Sequence, residues 1–253
     1  MRKNLTKVLI QDGKAAFGVF ISLNSPAIVE MIGHLKFDFV IIDAEHSALD
    51  IESCEAMVRA ADSVNITPII RVAMNIRQNI LRYLDTGALG VQMPMINTKE
   101  EAQYAVDSVK YPPVGKRGLA GVRASNYSLA GTLTDYVKEA NEQTMTIIQV
   151  ETMEAVDNLK NILAVPGTDI VFIGPTDLSS AMGFPGQTNH PEVQKMIAYL
   201  VKEIRAAGKA AGTTAYDLDT LRRCKEQGFQ FICYNISPML ARAGREYLQI
   251  ARG

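Results

Sequence analysis

The sequence predicts an α/β protein that forms one (β/α)₈ TIM barrel over residues 1–253. Eight short apolar runs alternate along the whole chain with amphipathic stretches, the order that produces a parallel sheet covered by helices. Several runs are apolar at nearly every position, as expected of strands that are buried on both faces. No GxGxxG pattern follows the first run, which disfavours an open dinucleotide-binding sheet.

The elements are predicted in order from apolar periodicity and from capping residues. The predicted strands are 17–23, 37–43, 67–72, 88–95, 146–151, 169–174, 209–214 and 229–235. The predicted helices are 26–35, 51–63, 76–86, 99–109, 153–164, 191–207, 218–227 and 238–251. Ser25 before Pro26 is typical of an N-cap followed by proline at the first helical position. Gly208 and Gly228 stand where helices are expected to end.

One connection is much longer than the others and is predicted to be an insertion in the barrel, around residues 110–143. It opens with a stretch rich in proline and glycine, and a short helix is predicted over 133–141. Long ordered insertions in compact domains are often functional loops. Within it, Arg123 is a candidate partner for a second substrate carboxylate, with an ordinary surface arginine as the alternative.

Composition excludes several classes of partner. The net charge is −1 and no basic run exceeds two residues, so nucleic acid is not expected. Residues 1–11 lack the apolar core of a signal peptide, and no apolar stretch approaches the ~18 residues of a spanning helix. The cysteines Cys54, Cys224 and Cys233 are scattered and odd in number, which is typical of reduced thiols. We therefore expect a cytoplasmic protein that acts on small molecules.

Polar side chains follow four of the apolar runs, at or just past the carboxyl end of each. In a barrel of parallel strands these ends meet at one mouth. We therefore expect one cavity to collect the polar groups Asp43, Glu45, His46, Arg71, Gln149, Glu151 and Asp177.

Two of the carboxylates are candidate metal ligands. Gln149 and Glu151 are two residues apart and share a strand face, and an unpaired buried carboxylate is costly. Instead of binding a metal, Glu151 could form a salt bridge or cap a helix. Asp177 could instead be the N-cap of a short helix at 178–182. Two carboxylates with open positions suit a hard divalent ion, Mg²⁺ or Mn²⁺, and Co²⁺ also fits.

Arg71 and His46 are candidates for substrate binding and proton transfer. The Arg71 guanidinium matches a substrate carboxylate in bidentate geometry, although it could instead pair with a core carboxylate. His46 is the one histidine at a strand end, since His34 lies on a predicted helix and His190 in a loop. Imidazole exchanges protons near neutral pH. Asp85 could orient His46, although the sequence does not place the two together.

Two other mechanisms are disfavoured by what the strand ends lack. A Schiff-base aldolase needs a lysine at the mouth, whereas Lys36 and Lys209 lie at strand starts. No GxSxG nucleophile elbow is present.

The candidate residues and their order along the chain resemble those of the HpcH/HpaI aldolase family, which are metal-dependent class II pyruvate aldolases. The resemblance covers nearly the whole chain. It implies a (β/α)₈ barrel that is usually assembled as a homohexamer, a dimer of trimers. It rests on Asp43-x-Glu45-His46, Arg71, Pro94-Met95, Tyr111-Pro-Pro-x-Gly-x-Arg117-Gly118, Gln149-x-Glu151-Thr152 and Gly174-Pro175-x-Asp177-Leu178.

The resemblance also implies roles for individual residues. Glu151 and Asp177 would bind the metal, which pyruvate would chelate through its keto and carboxylate oxygens. His46 would be the general acid/base and Asp85 would orient it, with a subunit interface as one way to bring them together. The substrate would be held by Arg71, Gln149, Gly174, Pro175 and Thr176.

The expected reaction is reversible aldol cleavage of a 4-hydroxy-2-oxo acid to pyruvate and an aldehyde. The chain departs from many members at Ser47-Ala48-Leu49, where they have Gly-Pro or Ala-Pro, and this loop shapes the aldehyde end. The aldehyde is therefore left open. The alternatives are other enolate chemistry, such as oxaloacetate decarboxylation or a citrate-synthase-like condensation, and a non-catalytic metabolite-binding barrel.

Overall fold

Eight parallel strands close into a barrel in the order of the sequence, in a computed structural model that describes all residues 1–253. The prediction of a (β/α)₈ barrel is confirmed, and each strand end lies within about two residues of its predicted position. The strands are β1 (Ala16–Ile21), β2 (Phe39–Asp43), β3 (Thr67–Arg71), β4 (Gly90–Met93), β5 (Met145–Val150), β6 (Ile170–Ile173), β7 (Ala210–Thr214) and β8 (Phe231–Asn235).

Helices follow the strands on the outside of the barrel, except α1, which precedes β1. Those before β5 are α1 (Leu5–Gln11), α2 (Pro26–His34), α3 (Ile51–Ser63), α4 (Arg77–Asp85), α5 (Lys99–Val109) and α6 (Leu133–Gln143), with a 3₁₀ segment at Arg123–Ser128. Those after β5 are α7 (Met153–Asp157), α8 (Leu159–Leu163), α9 (Pro175–Ala181), α10 (Pro191–Ala206), α11 (Leu218–Gln227) and α12 (Ile236–Arg252).

Three helical features differ from the sequence prediction. The single helix predicted over 153–164 is two helices, because Asn158 leaves helical geometry (φ −90°, ψ 3°) and its side-chain amide donates to the Asn97 carbonyl at 3.0 Å. The sequence does not predict α1, and it offers α9 only as the alternative helix at 178–182. Both have only seven residues, too few to show a clear apolar stripe.

The core has two layers, which follow from the alternation of side chains along each strand. On β2, Phe39 and Ile41 point into the barrel, whereas Val40 and Ile42 pack against the helices. Inside the barrel, the rings of Phe39 and Phe231 stack with centroids 3.9 Å apart. The interior is therefore filled, and α1 packs against it from the amino ends of the strands.

The insertion lies away from the carboxyl ends of the strands. The Arg123 guanidinium pairs with Asp62 at 2.6 Å and also donates to the carbonyl of Thr86, which follows helix α4. In this region Arg123 shares a surface cavity with Met1 and Leu89, which precede α1 and β4. Within one barrel Arg123 therefore lies at the rim opposite the mouth, and a single chain does not support the predicted contact with a second substrate carboxylate.

Helix α12 leaves its apolar face largely uncovered. Ile236 in its first turn is buried, but Leu240, Tyr247 and Ile250 follow on the same face and are exposed. Beside it, an apolar groove of about 200 Å³ remains open between α11 and the outer surface of β8 and β1. The groove is lined by Phe17, Phe37, Leu218, Leu221 and Ile232. An eighth helix packed on the barrel would cover this surface.

No helix in the structure is both long enough and apolar enough to cross a lipid bilayer. All three cysteines are buried and none forms a disulfide, in agreement with the predicted thiols. Burial raises the pKa of the Cys54 thiol to about 12, which disfavours its reactive thiolate form.

Candidate active site

A cavity of about 400 Å³ opens at the carboxyl ends of the strands. Its walls include the ends of β1, β2, β3, β5, β6, β7 and β8 or the residues just after them. The structure brings together in this cavity the predicted residues His46, Arg71, Gln149, Glu151, Gly174, Pro175, Thr176 and Asp177. Asp85 does not line it, and Glu45, which the sequence also places at the mouth, stands behind the wall against Arg71.

Arg71 is held in a bidentate pair with Asp43. Arg71 Nε lies 2.9 Å from Asp43 Oδ1, and one terminal nitrogen lies 2.7 Å from Asp43 Oδ2. The other terminal nitrogen lies 3.3 Å from Glu45 Oε2. Burial alone would lower the pKa of Arg71, but the hydrogen bonds and charge of Asp43 raise it, so the guanidinium stays charged. Arg71 therefore does pair with a core carboxylate, which was the alternative to substrate binding, and it also lines the cavity.

A chain of side-chain hydrogen bonds fixes Glu151. The Gln92 amide donates to Gln149 Oε1, and Gln149 Nε2 donates to Glu151 Oε2 at 2.7 Å. The second oxygen of Glu151 accepts from the backbone N–H of Met95 at 2.9 Å. Met95 has a left-handed backbone with φ 55°, which is strained for a non-glycine residue and recurs at functional sites. Two neighbours thus orient the carboxylate of Glu151.

Glu151 and Asp177 form a pair of like charges that suits a cation. Burial raises the pKa of Glu151, and the negative charge of Asp177 raises it further. No group of three or more His, Cys, Asp or Glu side chains gathers into a metal cluster. The donor set is therefore two carboxylates beside open cavity, which fits a hard divalent ion that keeps water or substrate oxygens.

Helix α9 places Asp177 at the cavity. Gly174 is its N-cap and Pro175 its first residue, so Asp177 is in the first turn and is not the N-cap that the sequence offered as an alternative. Gly174 also passes so close to Glu151 that an added β-carbon would overlap the carboxylate. The backbone N–H groups of Thr176 and Asp177 have no partner within the helix and are suited to an anionic ligand.

His46 lies at the rim of the cavity. Its side chain is 65% exposed, and its Nε2 is 3.7 Å from Glu45 Oε2. Its backbone N–H donates to Asp43 Oδ1 at 3.3 Å, which ties the loop that carries it to the Arg71–Asp43 pair. Burial raises the pKa of the neighbouring Glu45 carboxyl.

Asp85 lies at the opposite end of the same barrel. It ends helix α4, which returns the chain from the carboxyl end of β3 to the amino end of β4. There its carboxylate accepts from Arg117 at 2.9 Å, and the Arg117 guanidinium lies 4.6 Å from the centre of the Tyr111 ring. The residues Tyr111 and Arg117 thus hold Asp85, and a contact with His46 would require a second copy of the chain.

Sequence reasoning missed Tyr216 and Asn235 in the cavity wall and Gln92, which is buried behind that wall against Gln149. Gln92 lies within the apolar run of β4 and was overlooked, although a buried amide on an inward-facing strand position is itself a signal. Tyr216 and Asn235 lie at or just after the ends of β7 and β8, the same positions that identified the charged residues. The Tyr216 hydroxyl is 3.0 Å from Thr176 Oγ1, and burial raises its pKa, so it is protonated at neutral pH.

Comparisons with known proteins agree with the barrel and with its cavity. The profile of the HpcH/HpaI aldolase/citrate lyase family matches residues 16–242. The chain is 37% identical to the 2-keto-3-deoxy-L-rhamnonate aldolase of Klebsiella pneumoniae, over 90% of this chain and 85% of that protein. It is 36% identical to the 4-hydroxy-2-oxo-heptane-1,7-dioate aldolase of Salmonella dublin, over 97% of this chain and 93% of that protein.

A solved structure of a related protein has the same fold as this chain. The crystal structure of a family protein from Burkholderia cenocepacia superposes with a TM-score of 0.94 at 33% identity, covering 99% of this chain and 100% of that one. Barrel, cavity and relatives together define a carbon–carbon lyase of the aldolase class. The chain belongs to the HpcH/HpaI aldolase/citrate lyase family.

The close approach of Gly174 to Glu151 gives a test of this geometry. Gly174→Ala should lower the free energy of unfolding by about 1–3 kcal/mol, because the new methyl group displaces a packed, hydrogen-bonded carboxylate. Urea denaturation followed by circular dichroism measures this difference. The matched control is Gly118→Ala, whose added carbon meets only Leu81 at 3.8 Å and should change stability by less than about 0.5 kcal/mol. Equal midpoints for the two variants would contradict the close approach.

Proposed function

We propose that the protein catalyses the reversible aldol cleavage of a 4-hydroxy-2-oxo acid to pyruvate and an aldehyde, with a bound divalent metal ion. The observation that carries the proposal is the like-charged pair of Glu151 and Asp177, which faces open cavity in a chain of the aldolase family. Arg71 supplies the only permanent positive charge among the cavity residues, so the acid group of the substrate has one evident partner.

Glu151 and Asp177 would hold the metal. When bound there, Mg²⁺, Mn²⁺ or Co²⁺ would supply Lewis-acid polarisation of a ketone oxygen. Gln149 supports this arrangement from the side, because its amide is fixed between Gln92 and Glu151.

The substrate carboxylate would be bound at the junction of Arg71 and helix α9. The Arg71 guanidinium is oriented in advance by Asp43, and the first-turn N–H groups of Thr176 and Asp177, which have no partner within the helix, would donate to the carboxylate. Gly174 and Pro175 begin this helix and set the position of those amides. Orientation before binding lowers the entropic cost of reaching the reactive geometry.

His46 would move the proton. In the cleavage direction it takes the proton from the C4 hydroxyl as the C3–C4 bond breaks, which releases the aldehyde. The carbon electrons remain on C3 of the pyruvate enolate, which gains a proton to become the methyl group of pyruvate. In the synthetic direction the same imidazole returns the proton to the new alkoxide.

Asp85 would orient His46 from a neighbouring subunit. The two residues lie at opposite ends of one barrel, so the proposed pairing depends on assembly. Arg117 already holds the Asp85 carboxylate in position at 2.9 Å. A carboxylate beside the imidazole would fix its orientation and favour its protonated form.

The proposed assembly is a homo-oligomer, specifically a hexamer built as a dimer of trimers in the cytoplasm. The uncovered apolar face of α12 and the open groove beside it support self-association, because exposed apolar surface of this extent marks interaction sites. The buried free thiols are compatible with a reducing compartment.

Deuterium exchange into pyruvate tests the core of the proposal. Proton NMR of pyruvate in D₂O should show loss of the methyl signal with wild-type protein and Mg²⁺, and no loss after EDTA treatment. Glu151→Gln should slow the exchange by about 10²–10³-fold, because one charged ligand is removed at the reacting centre. The control Glu154→Gln changes an exposed glutamate on α7 and should exchange at the wild-type rate.

The outcomes separate the alternatives. Metal-dependent exchange without cleavage of any 4-hydroxy-2-oxo acid would indicate oxaloacetate decarboxylation or a citrate-synthase-like condensation. The substrates of these two reactions can be added to the same sample to distinguish them. No exchange with any of the three metals, under conditions where they bind, would contradict enolate chemistry on pyruvate and favour a binding protein.

Removal of the imidazole tests the acid/base role. His46→Ala should lower the rate of pyruvate release from 4-hydroxy-2-oxopentanoate by about 10²–10⁴-fold, the usual contribution of general acid–base catalysis. Coupling to lactate dehydrogenase measures the release. His34→Ala removes an exposed histidine on α2 and should leave the rate unchanged. Equal rates in the two variants would refute the role of His46.

Oligomerisation is tested on the apolar face of α12. Light scattering coupled to size-exclusion chromatography should give a multiple of the 27.7 kDa chain mass for wild-type protein. A Leu240→Glu/Tyr247→Glu variant should give a smaller species, because it places charge on the apolar face. Arg245→Glu changes the opposite face of the helix and should retain the wild-type mass. A monomeric wild-type protein would contradict the proposed assembly.

A further inference from the structure

We propose that a second cavity, under the amino ends of β6 and β7, binds a small oxyanion with two negative charges, either the phosphate dianion or the phosphoryl group of a phosphate ester. The cavity has a volume of about 380 Å³ and lies at the end of the barrel opposite the mouth. Its walls include helix α1, the residues before β6 and the turn from α10 to β7. It is therefore separate from the candidate active site.

The position of this second cavity also separates it from the proposed contact between subunits. Asp85 ends α4, which leads to the amino end of β4. Strands β6 and β7 are two and three strands further around the barrel. The rim that would meet the mouth of a neighbouring subunit is therefore not the rim that surrounds this cavity.

Positive charge exceeds negative charge in the second cavity. Lys7, Arg205 and Lys209 line it, and Asp169 is its only carboxylate. One oxygen of Asp169 lies 3.0 Å from Lys7 Nζ, and the other accepts from the backbone N–H of Thr146 at 2.8 Å. Asp169 therefore balances one of the three cations and is already used within the protein. The other two cations have no acidic partner.

A fourth cation behind the wall adds to this excess. Lys110 is 4% exposed, and its Nζ donates to the carbonyls of Asn141 at 2.8 Å and Thr144 at 2.6 Å. Lys7 Nζ donates to the same Thr144 carbonyl at 3.5 Å, so two ammonium groups converge on one oxygen. Burial and the charge of Lys7 lower the pKa of Lys110 to about 8. An anion in the neighbouring cavity would stabilise both charged lysines.

The wall also has hydrogen-bond donors that the protein leaves free. Gln230 lines the cavity and is only 9% exposed, yet its side-chain amide makes no hydrogen bond to another protein group. Arg205 uses one terminal nitrogen for the Gly228 carbonyl at 3.1 Å, which leaves its other N–H groups open. Lys209 donates to two backbone carbonyls at 2.9 Å and 3.2 Å, and its ammonium has a third proton. Because buried amides normally have partners, the free amide of Gln230 indicates a ligand.

A phosphoryl group matches this wall better than other small ligands do. Its oxygens form charge-assisted hydrogen bonds with guanidinium and ammonium groups, and its two charges offset the two cations that Asp169 leaves unbalanced. A metal cation would be repelled by Arg205 and Lys209. An apolar ligand would remove water from Gln230 without replacing its hydrogen bonds. The volume of the cavity leaves room for a short organic group on the phosphate.

A bound anion would connect segments that are far apart in the sequence. Lys7 belongs to α1, Arg205 to α10 and Lys209 to the turn before β7. A ligand that contacts all three segments binds the folded chain and not the unfolded one, so it stabilises the fold. Phosphate should therefore raise the melting temperature of the protein.

The binding test is isothermal titration calorimetry of the metal-free wild-type protein with inorganic phosphate, near neutral pH in about 0.15 M NaCl. We expect binding with a Kd on the order of 0.1–1 mM, the range for one small ligand held by a few charge-assisted hydrogen bonds. Glycerol 3-phosphate is titrated in parallel. Tighter binding of the ester would indicate a phosphorylated metabolite, and equal or weaker binding would indicate free phosphate. No binding of either probe at about 10 mM would overturn the proposal.

Variants assign the bound phosphate to this cavity. Arg205→Gln should raise the Kd by about 10-fold and Gln230→Leu by about 3-fold, because they remove a charged and a neutral donor. Arg205 is exposed, so its replacement should not prevent folding. The matched control is Lys202→Gln, which removes an exposed cation about one turn earlier on α10, outside the cavity, and should keep the wild-type Kd. An unchanged Kd in both cavity variants would show an adventitious ion only and overturn the proposal.

Two further measurements separate this cavity from the mouth. Arg71→Gln should still bind phosphate with the wild-type Kd, whereas loss of all binding in this variant would place the phosphate at the mouth and overturn the proposal. Phosphate should raise the melting temperature of wild-type protein more than that of Arg205→Gln. Failure of the deuterium exchange into pyruvate would refute the aldolase function and would leave the anion site standing.

Discussion

The buried ion pair between Asp43 and Arg71 is the interaction on which the mouth of the barrel depends. Asp43 receives the Arg71 guanidinium at 2.7 Å and 2.9 Å, and its Oδ1 also accepts from the backbone N–H groups of Glu45 and His46. One carboxylate therefore fixes both the cation and the loop that carries the imidazole. Breaking a buried pair of this kind typically costs 3–5 kcal/mol, because it leaves an uncompensated charge.

Strand positions could be predicted from the sequence because the apolar runs are local features, and four of them are followed by polar residues at their carboxyl ends. The same rule places Arg71, Glu151 and Asp177 at the mouth, where the structure has them. It could not pair Asp85 with His46, because Asp85 ends a helix that returns the chain to the amino ends of the strands, and a contact between subunits leaves no local pattern in the sequence. Nor could it reveal Gln92, whose single polar group stands within an apolar run and finds its partner on β5 only after the barrel closes.

The cavity combines two environments that the order of the strands keeps apart. On one side, burial and the negative charge of Asp177 raise the pKa of Glu151, so a bound cation would stabilise its charged form. On the other side, between β7 and β1, hydroxyl and amide groups face water and have no charge to satisfy. Tyr216 connects the two, because its hydroxyl contacts Thr176 at the start of α9.

The filled barrel interior has a kinetic consequence. Because the stacked rings of Phe39 and Phe231 and helix α1 close the barrel below the cavity, ligands enter and leave through one opening. Glu151 lies deep in this opening with a 3% exposed surface, whereas Ser237 is exposed at its edge. In the proposed reaction the product beside Glu151 stays behind the one at the edge. In that reaction the two products would depart in sequence, with the aldehyde first and pyruvate last.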